Sequence, residues 1–561
     1  MTHNPKTSPL ASIRLWLVTS GVSVLIYVVA TLITDAYYMG DTADYVDSIV
    51  AHVQGRDYWF WEFGHVLLRP LGRVLLIFTP LTRLIVGDDL RANANFVLIA
   101  LNWVAGLVSV LSLRGLIVHW CQRRWIIELT ITAFVFCHGF LVYVQSGCAY
   151  IPALSLLMLA FYQLAKRESG SIRGPIAAGL ALAGSVCMWF PFVLALPAAV
   201  VAPLFFHGWN KAILKKSVLT AVLTGLFIGL TYLIIMIGPL GIRNPAGLRA
   251  WMSQTVGGPA EGNQLQRTVF GFARSVIYLG NDGILYKRYL HKDPYNPVSL
   301  SDVLGLSVWK IVLFYLFLGS VLLNLYFENK RLLLLFLVNS VPIVGLGLFW
   351  HGGAIERYLA LYPTIFLALA VSLDGQRARV FLKYITLAFV VVMVVNNLIG
   401  MWKPSVISAQ EKTANRATSL FPVLRPNSRV FTVTFTDDLF NFNRSFPFHP
   451  QNRNPYTPYA VIALGSTQVP IWRQDFASKV EDTWNRNGDV WITRRVLSAK
   501  PHSDWNWVEG DDENVAWNDI YSFFTQLEMG QSVGGEDGFM LLTPSEKNRA
   551  FLKQFPLGKK P

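Results

Sequence analysis

Charge and cysteine are both scarce in this 561-residue chain, in which 15% of residues are Asp, Glu, Lys or Arg and only four are cysteines. The first scarcity excludes an ordinary soluble enzyme, where charged residues make up about 25%. Hydrophobic residues instead reach 53%, with a mean hydropathy of +0.41. The second argues against a disulfide framework, because Cys121, Cys137, Cys148 and Cys187 lie in or beside apolar runs and none falls in the long polar C-terminal part. Internal repeats and low-complexity tracts are also missing. A formal charge of +14 would suit a polyanionic partner, but residues 1–400 hold 30 Lys/Arg against 17 Asp/Glu and the remainder 18 against 17. The excess thus sits among hydrophobic segments, where the positive-inside rule accounts for it, and no nucleic-acid partner is expected.

What is present is a series of apolar runs, each near the ~20 residues a bilayer requires. Eleven are predicted to span, over 12–34, 93–117, 126–145, 149–165, 175–190, 192–207, 217–238, 303–326, 332–350, 356–374 and 380–400. The first is too long for a signal-peptide core and reads as an uncleaved anchor. The break at F-P-F (190–192) divides two helices. Residues 66–86 rival these runs in hydropathy but carry Arg69, Arg73, Arg83, Pro70 and Pro80. Charge resolves the ambiguity: with the N-terminus inside and 66–86 not spanning, the basic loops around Arg123, Lys166, Lys211, Lys330 and Arg377 all fall on the inner side. Residues 66–86 are therefore expected as amphipathic or re-entrant helices at the outer surface.

The expected architecture is a mainly α, polytopic helix bundle over 1–400, with outer juxtamembrane helices, followed by an extracytoplasmic mixed α/β domain over 401–561. Its outer face receives a first loop (35–91), a short loop (145–149), a second long loop (239–302) and the H-G-G-A-I-E-R-Y turn (351–358). Strand-like runs occur in the C-terminal domain at 428–435, 459–464 and 488–496. These strands lack a Gly-rich phosphate loop or a metal-spaced His/Cys cluster, and the domain is assigned no chemistry.

The first outer loop opens Y-Y-M-G-D-T-A-D-Y-V-D-S-I-V, with Asp41, Asp44 and Asp47 spaced by three. Asp41 can cap a helix whose dipole favours Asp44, and Asp47 reads as a solvated helix position. The loop continues W-F-W-E-F-G-H-V-L-L-R-P-L-G-R, adding Glu62, His65, Arg69 and Arg73 beside interfacial aromatics. A carboxylate there can serve as general base, and arginines can hold phosphate oxygens with forked hydrogen bonds; snorkelling to interfacial water competes for each arginine. In I-E-R-Y-L, Glu356 and Arg357 can form an interfacial anchor pair, or Arg357 and Tyr358 can reach a lipid-linked phosphate. The second long loop contains T-V-G-G-P-A-E-G-N (255–263) and Y-L-G-N-D-G-I-L-Y-K-R-Y (278–289), with Lys287 and Arg288 as further phosphate contacts in a lid or an ordinary solvated loop. A lone His351 is weak support for a metal.

In order and spacing, the G-D-T-A-D-Y loop after the first helix, the E-F-G-H-V-L-L-R-P-L-G segment and the late E-R-Y-L-A-L-Y-P turn resemble the GT-C superfamily of polyprenyl-phosphate-sugar-dependent glycosyltransferases. That superfamily includes protein O-mannosyltransferases and lipid A aminoarabinose transferases, and the resemblance covers residues 12–400. It implies inverting transfer, on the outer face, from a polyprenyl-phosphate-linked sugar donor to a lipid, glycan or protein acceptor. By similarity Asp41 is the acidic residue of the first loop that activates or orients the acceptor hydroxyl as general base, with Asp44 a second catalytic carboxylate; Glu62 and His65 occupy the juxtamembrane motif; and Arg357 and Tyr358 approach the donor phosphate. Many members carry another acid in the short second loop, which here reads Q-S-G-C-A-Y with Gln145 and Tyr150. Asp44 or Glu62 substitutes for it, or the acceptor or the activity differs, and a divalent metal remains possible. A lipid or glycan transporter and an envelope-complex accessory protein are the alternatives; a transporter calls for paired broken helices or a repeat. A bacterial inner membrane fits the cysteine pattern.

Overall fold

A computed structural model describes residues 9–35, 41–55, 60–166, 172–253, 263–280, 282–377, 379–406, 419–425, 427–433, 461–463, 471–503, 507–510, 515–535 and 538–556. The chain divides into two compact units, Met1–Tyr278 with Lys310–Lys403, and Leu279–Trp309 with Pro404–Pro561.

The first unit is a helix bundle, as its apolar runs require, because a segment in lipid must satisfy its backbone polar groups internally. Every predicted apolar run is helical. Among the described residues, seven helices are long and apolar enough to cross a membrane: Leu90–Val118, Phe190–His207, Lys211–Ile237, Leu300–Glu328, Lys330–His351, Ile355–Asp374 and Val380–Gly400. Arg124–Val135 and His138–Val144 together make an eighth, bent by 62°, while Ser20–Ile33, Tyr150–Ala165 and Arg173–Met188 are shorter. The bend exposes backbone that Asn397 satisfies: its Nδ2 donates to the carbonyls of Phe136 (2.7 Å) and Val276 (2.8 Å), and its Oδ1 accepts from the Tyr278 N–H (2.7 Å). Asn397 is fully buried, so these bonds replace water that cannot enter.

Residues 68–86 form the short helices Leu68–Leu75 and Thr79–Val86, joined by a 3-10 turn at Leu76–Phe78. An eight-residue helix is about 12 Å long, too short to span. Leu68, Arg69, Gly72, Leu76 and Thr82 face inward, whereas Val74, Ile77, Leu81, Leu84 and Ile85 are exposed, which makes the segment amphipathic as expected. Gly72 allows it to seat against the first-loop helix Thr42–Val53, since a Cβ there would lie 2.7 Å from Ile49 Cδ1 and 2.9 Å from Leu98 Cδ2.

The second unit is mixed α/β. Strands β1 (Arg429–Thr432), β2 (Val461–Ala463), β3 (Val490–Thr493), β4 (Met529–Val533) and β5 (Phe539–Leu542) form one sheet in the order β2-β1-β3-β5-β4. β1 pairs parallel with β2 and β3, whereas β5 pairs antiparallel with β3 and β4. The first three lie within the predicted strand runs. The hairpin β4–β5 escapes sequence reading because M-G-Q-S-V carries little β propensity and leaves three residues exposed. Helices Trp472–Asn485 and Trp517–Phe524 supply Phe476, Val480, Trp517 and Phe524 to a core with Phe431, Ile492, Trp507 and Leu542.

Leu279–Trp309 packs with this unit, though it ends inside the membrane-length helix Leu300–Glu328. Its Asp293, 1% exposed, accepts from the N–H of Tyr295 (3.0 Å) and faces Arg288 Nε at 3.7 Å.

Candidate active site

The first-loop helix begins at Thr42, with Asp41 at its N-cap position. Contrary to the capping expectation, the Asp41 carboxylate makes no bond to the helix amides. It accepts instead, at Oδ2, from the Tyr150 hydroxyl at 2.8 Å. The partner comes from the short second loop, 109 residues away in sequence.

That loop is fastened to the first-loop helix next to Asp41. The Gly147 N–H donates to Thr42 Oγ1 (2.9 Å), and Asn102 Nδ2 donates to the Cys148 carbonyl (3.0 Å). A Cβ on Gly147 would lie 2.6 Å from Thr42 Cγ2 and 2.9 Å from Leu98 Cβ, so the close approach requires glycine. Tyr143 and Tyr150 flank the loop with ring centroids 4.7 Å apart in an edge contact. The Tyr143 hydroxyl donates to Glu356 Oε2 at 2.8 Å. Two phenols therefore connect the Asp41 and Glu356 carboxylates, and Tyr150 packs further on Trp189.

The juxtamembrane segment closes on the same residues. Trp251 Nε1 donates to the Trp61 carbonyl (2.7 Å), Tyr232 Oη to the Phe63 carbonyl (2.9 Å) and the Leu67 N–H to the Cys187 carbonyl (3.2 Å). So pinned, His65 places Nδ1 3.2 Å from the Met188 carbonyl and Nε2 3.2 Å from Tyr45 Oη. A carbonyl can only accept, which puts the His65 proton on Nδ1 and makes Nε2 the acceptor of the Tyr45 hydroxyl. Burial pushes His65 below the ordinary histidine value of 6.5, against the opposing pull of Glu62. Burial likewise raises Tyr45 well above its ordinary value, with the Asp41 charge adding to the effect.

Arg69 lies with its guanidinium 4.8 Å from the centre of the Tyr45 ring and its Nη2 2.5 Å from Glu62 Oε2. It is 2% exposed, and its Nε and Nη1 have no hydrogen-bond partner among the described residues. The Nε of Arg357 is in the same condition. A buried donor without an acceptor is costly and marks a place where a ligand acceptor would be stabilising.

The structure thus brings Asp41, Glu62, His65 and Arg69 together, with Asp44 one turn along the Asp41 helix. Asp47, expected as a solvated position, is ion-paired with Arg91 at 2.9 Å. Tyr358 is fully buried and donates to the Gly352 carbonyl at 2.8 Å, which makes it a strut of the turn. Lys287 and Arg288 belong to the other unit, where Arg288 also donates to the Ser503 carbonyl at 2.7 Å. The glycine-rich stretch 255–263 lies outside the described residues apart from Asn263. Tyr45 and Tyr143, and the contact that joins Glu356 to the site, were missed in the sequence. The tyrosines at both ends of Y-V-Q-S-G-C-A-Y were the available signal. Among the described residues, no group of three His, Cys, Asp or Glu side chains could hold a metal ion.

No protein-family model matches the sequence, and no curated protein matches it. Solved structures do. ArnT from Cupriavidus metallidurans bound to undecaprenyl phosphate matches with a TM-score of 0.51 at 10% identity, over 95% of this chain and 98% of that protein. Its apo state matches with a TM-score of 0.50 at 10% identity, over 96% and 99%. The archaeal oligosaccharyltransferase AglB from Archaeoglobus fulgidus, in complex with an inhibitory peptide and a dolichol-phosphate, reaches 0.47 at 13% identity, over 95% and 77%. The chain is a polytopic helix bundle with a GT-C-like fold, as the sequence resemblance implied.

Proposed function

We propose that the chain is a membrane glycosyltransferase that moves a sugar, with inversion, from a polyprenyl-phosphate donor to a hydroxyl-bearing acceptor on the outer face, with Asp41 as general base. The observation that carries this reading is the Asp41 carboxylate, withheld from its helix cap and held by Tyr150 beside a buried arginine with unused donors. The acceptor oxygen attacks the anomeric carbon on the side opposite the lipid phosphate. As the new C–O bond forms, the bond to the phosphate breaks, the hydroxyl proton passes to Asp41, and the lipid phosphate leaves with the bonding pair. Arg69 and Arg357 supply N–H groups to the phosphate oxygens as their charge develops. ArnT, which shares this fold, binds undecaprenyl phosphate, and a lipid-linked phosphate suits these two arginines.

The apolar face of residues 74–85 rests on the bilayer, and the distribution of Lys and Arg orients the N-terminus inward and the C-terminal unit outward, across a bacterial inner membrane. The test is turnover of the purified, reconstituted protein with polyprenyl-phosphate sugars extracted from its native membrane. Asp41→Asn should lower turnover by about 100-fold or more while leaving the melting temperature intact. A folded variant with wild-type turnover overturns the assignment. Mass analysis of envelope glycans and glycolipids after deletion identifies the sugar and the acceptor together.

A further inference from the structure

The short second loop has no carboxylate, yet it reaches Asp41 through Tyr150. The bond length of 2.8 Å and the 5% exposure of Tyr150 describe a phenol committed to one acceptor. Its ring is fixed on two sides, by Tyr143 at 4.7 Å and by Trp189 at 4.7 Å, and its backbone follows the Gly147 and Cys148 contacts that tie the loop to Thr42 and Asn102. An aspartate at an N-cap position ordinarily turns its carboxylate onto the N2 or N3 amide. Here it does not, and the phenol is the group that holds it away.

Resting on the reading of Asp41 as base, we infer that Tyr150 is a positioning residue: it occupies Oδ2, fixes the carboxylate plane, and directs Oδ1 to the acceptor proton. The other groups around Asp41 divide by sign. Tyr45 stands on the helix that follows it, where Asp44 lies in the first turn, Cys148 on the second loop, Glu62, His65 and Arg69 on the juxtamembrane segment, and Glu356 on the late turn. Arg69 makes its bond to Glu62, and Tyr150 is the side chain that donates to the Asp41 carboxylate among the described residues.

The experiment is the split between kcat and KM for the full-length enzyme in lipid, with the native donor extract. Tyr150→Phe removes the donor and keeps the ring. The turnover number should fall about 10-fold with KM for the donor unchanged, because only the alignment of the base is lost. Fluorotyrosine at position 150 keeps the ring and restores the hydroxyl donor, and should recover kcat. Wild-type kcat in Tyr150→Phe, or a fluorotyrosine enzyme as slow as Tyr150→Phe, overturns the inference. Wild-type turnover by Asp41→Asn instead overturns the base assignment beneath it, so the two failures are distinguishable.

Discussion

Arg69 and Glu62 meet at 2.5 Å with side chains 3% and 13% exposed, an ion pair enclosed by the juxtamembrane segment. Removing one partner of such a pair strands the other charge away from water. Glu62→Gln should therefore cost about 3–5 kcal/mol of stability, seen as a lower melting temperature in detergent. Arg69→Lys keeps the charge but loses the fork and the face that lies on Tyr45, so it should melt nearer wild type while KM for the lipid donor rises.

Gly147→Ala tests the approach of the second loop. The added Cβ meets Thr42 and Leu98 well inside contact distance, so the loop must withdraw from Asp41. A loss of about 1–3 kcal/mol is expected, with a larger proportional loss of turnover than of folded protein. Activity per folded molecule equal to wild type would show that the loop position is immaterial.

Asn397→Leu removes three bonds that serve the backbone at the bent helix pair and at Tyr278. The freed groups have no water to turn to, and a loss of about 3 kcal/mol or more should appear in thermal unfolding. Asn397→Asp restores only the acceptor and should recover little.

Tyr358 and Arg357 are adjacent but should separate in kinetics. Tyr358→Phe deletes a bond to the Gly352 carbonyl and should cost about 1 kcal/mol of stability with KM for the donor unchanged. Arg357→Ala should leave stability near wild type and raise donor KM, because its Nε awaits an acceptor. The reverse pattern would exchange the two roles.

His65 gives a pH dependence. Its folded value is depressed, so the unfolded chain binds more protons at acid pH; this contribution to stability is intact above the ordinary value of 6.5 and declines as pH falls below it. The melting temperature should drop between about pH 7.5 and about pH 5.5, and by less in His65→Gln. An equal drop in both would place the acid sensitivity elsewhere.

The bundle was legible in the sequence because a bilayer imposes long apolar runs, and each predicted run is a helix. Breaks were less legible. The run 126–145 is two helices, Arg124–Val135 and His138–Val144, bent by 62°, and the Phe136 carbonyl at the break is taken up by Asn397, 261 residues away, which hydropathy does not register. Asp41, His65 and Arg69 could be named from residue type and order. Their partners could not: the Asp41 carboxylate is set by Tyr150 across 109 positions, and Glu356 joins through Tyr143 across 213. A tyrosine in an apolar run carries no local sign of the acceptor its hydroxyl will find. Lys287 and Arg288 read as phosphate contacts or an ordinary solvated loop by composition, which carries no sign that Arg288 faces Asp293 and donates to the Ser503 carbonyl.

The assignment of Leu279–Trp309 to the second unit bears on how the gene can be cut. The polypeptide passes from one unit to the other three times, at 278/279, 309/310 and 403/404, so no single stop codon separates them. A chain ending at residue 403 would keep Arg288 and Tyr295 but lose Ser503 and Trp507, leaving a sticky internal segment in place of a clean truncation. Expression of the C-terminal part alone would leave Trp507 without Tyr295. Dissection of this protein calls for co-expression or for excision of the internal segment together with the C-terminal part.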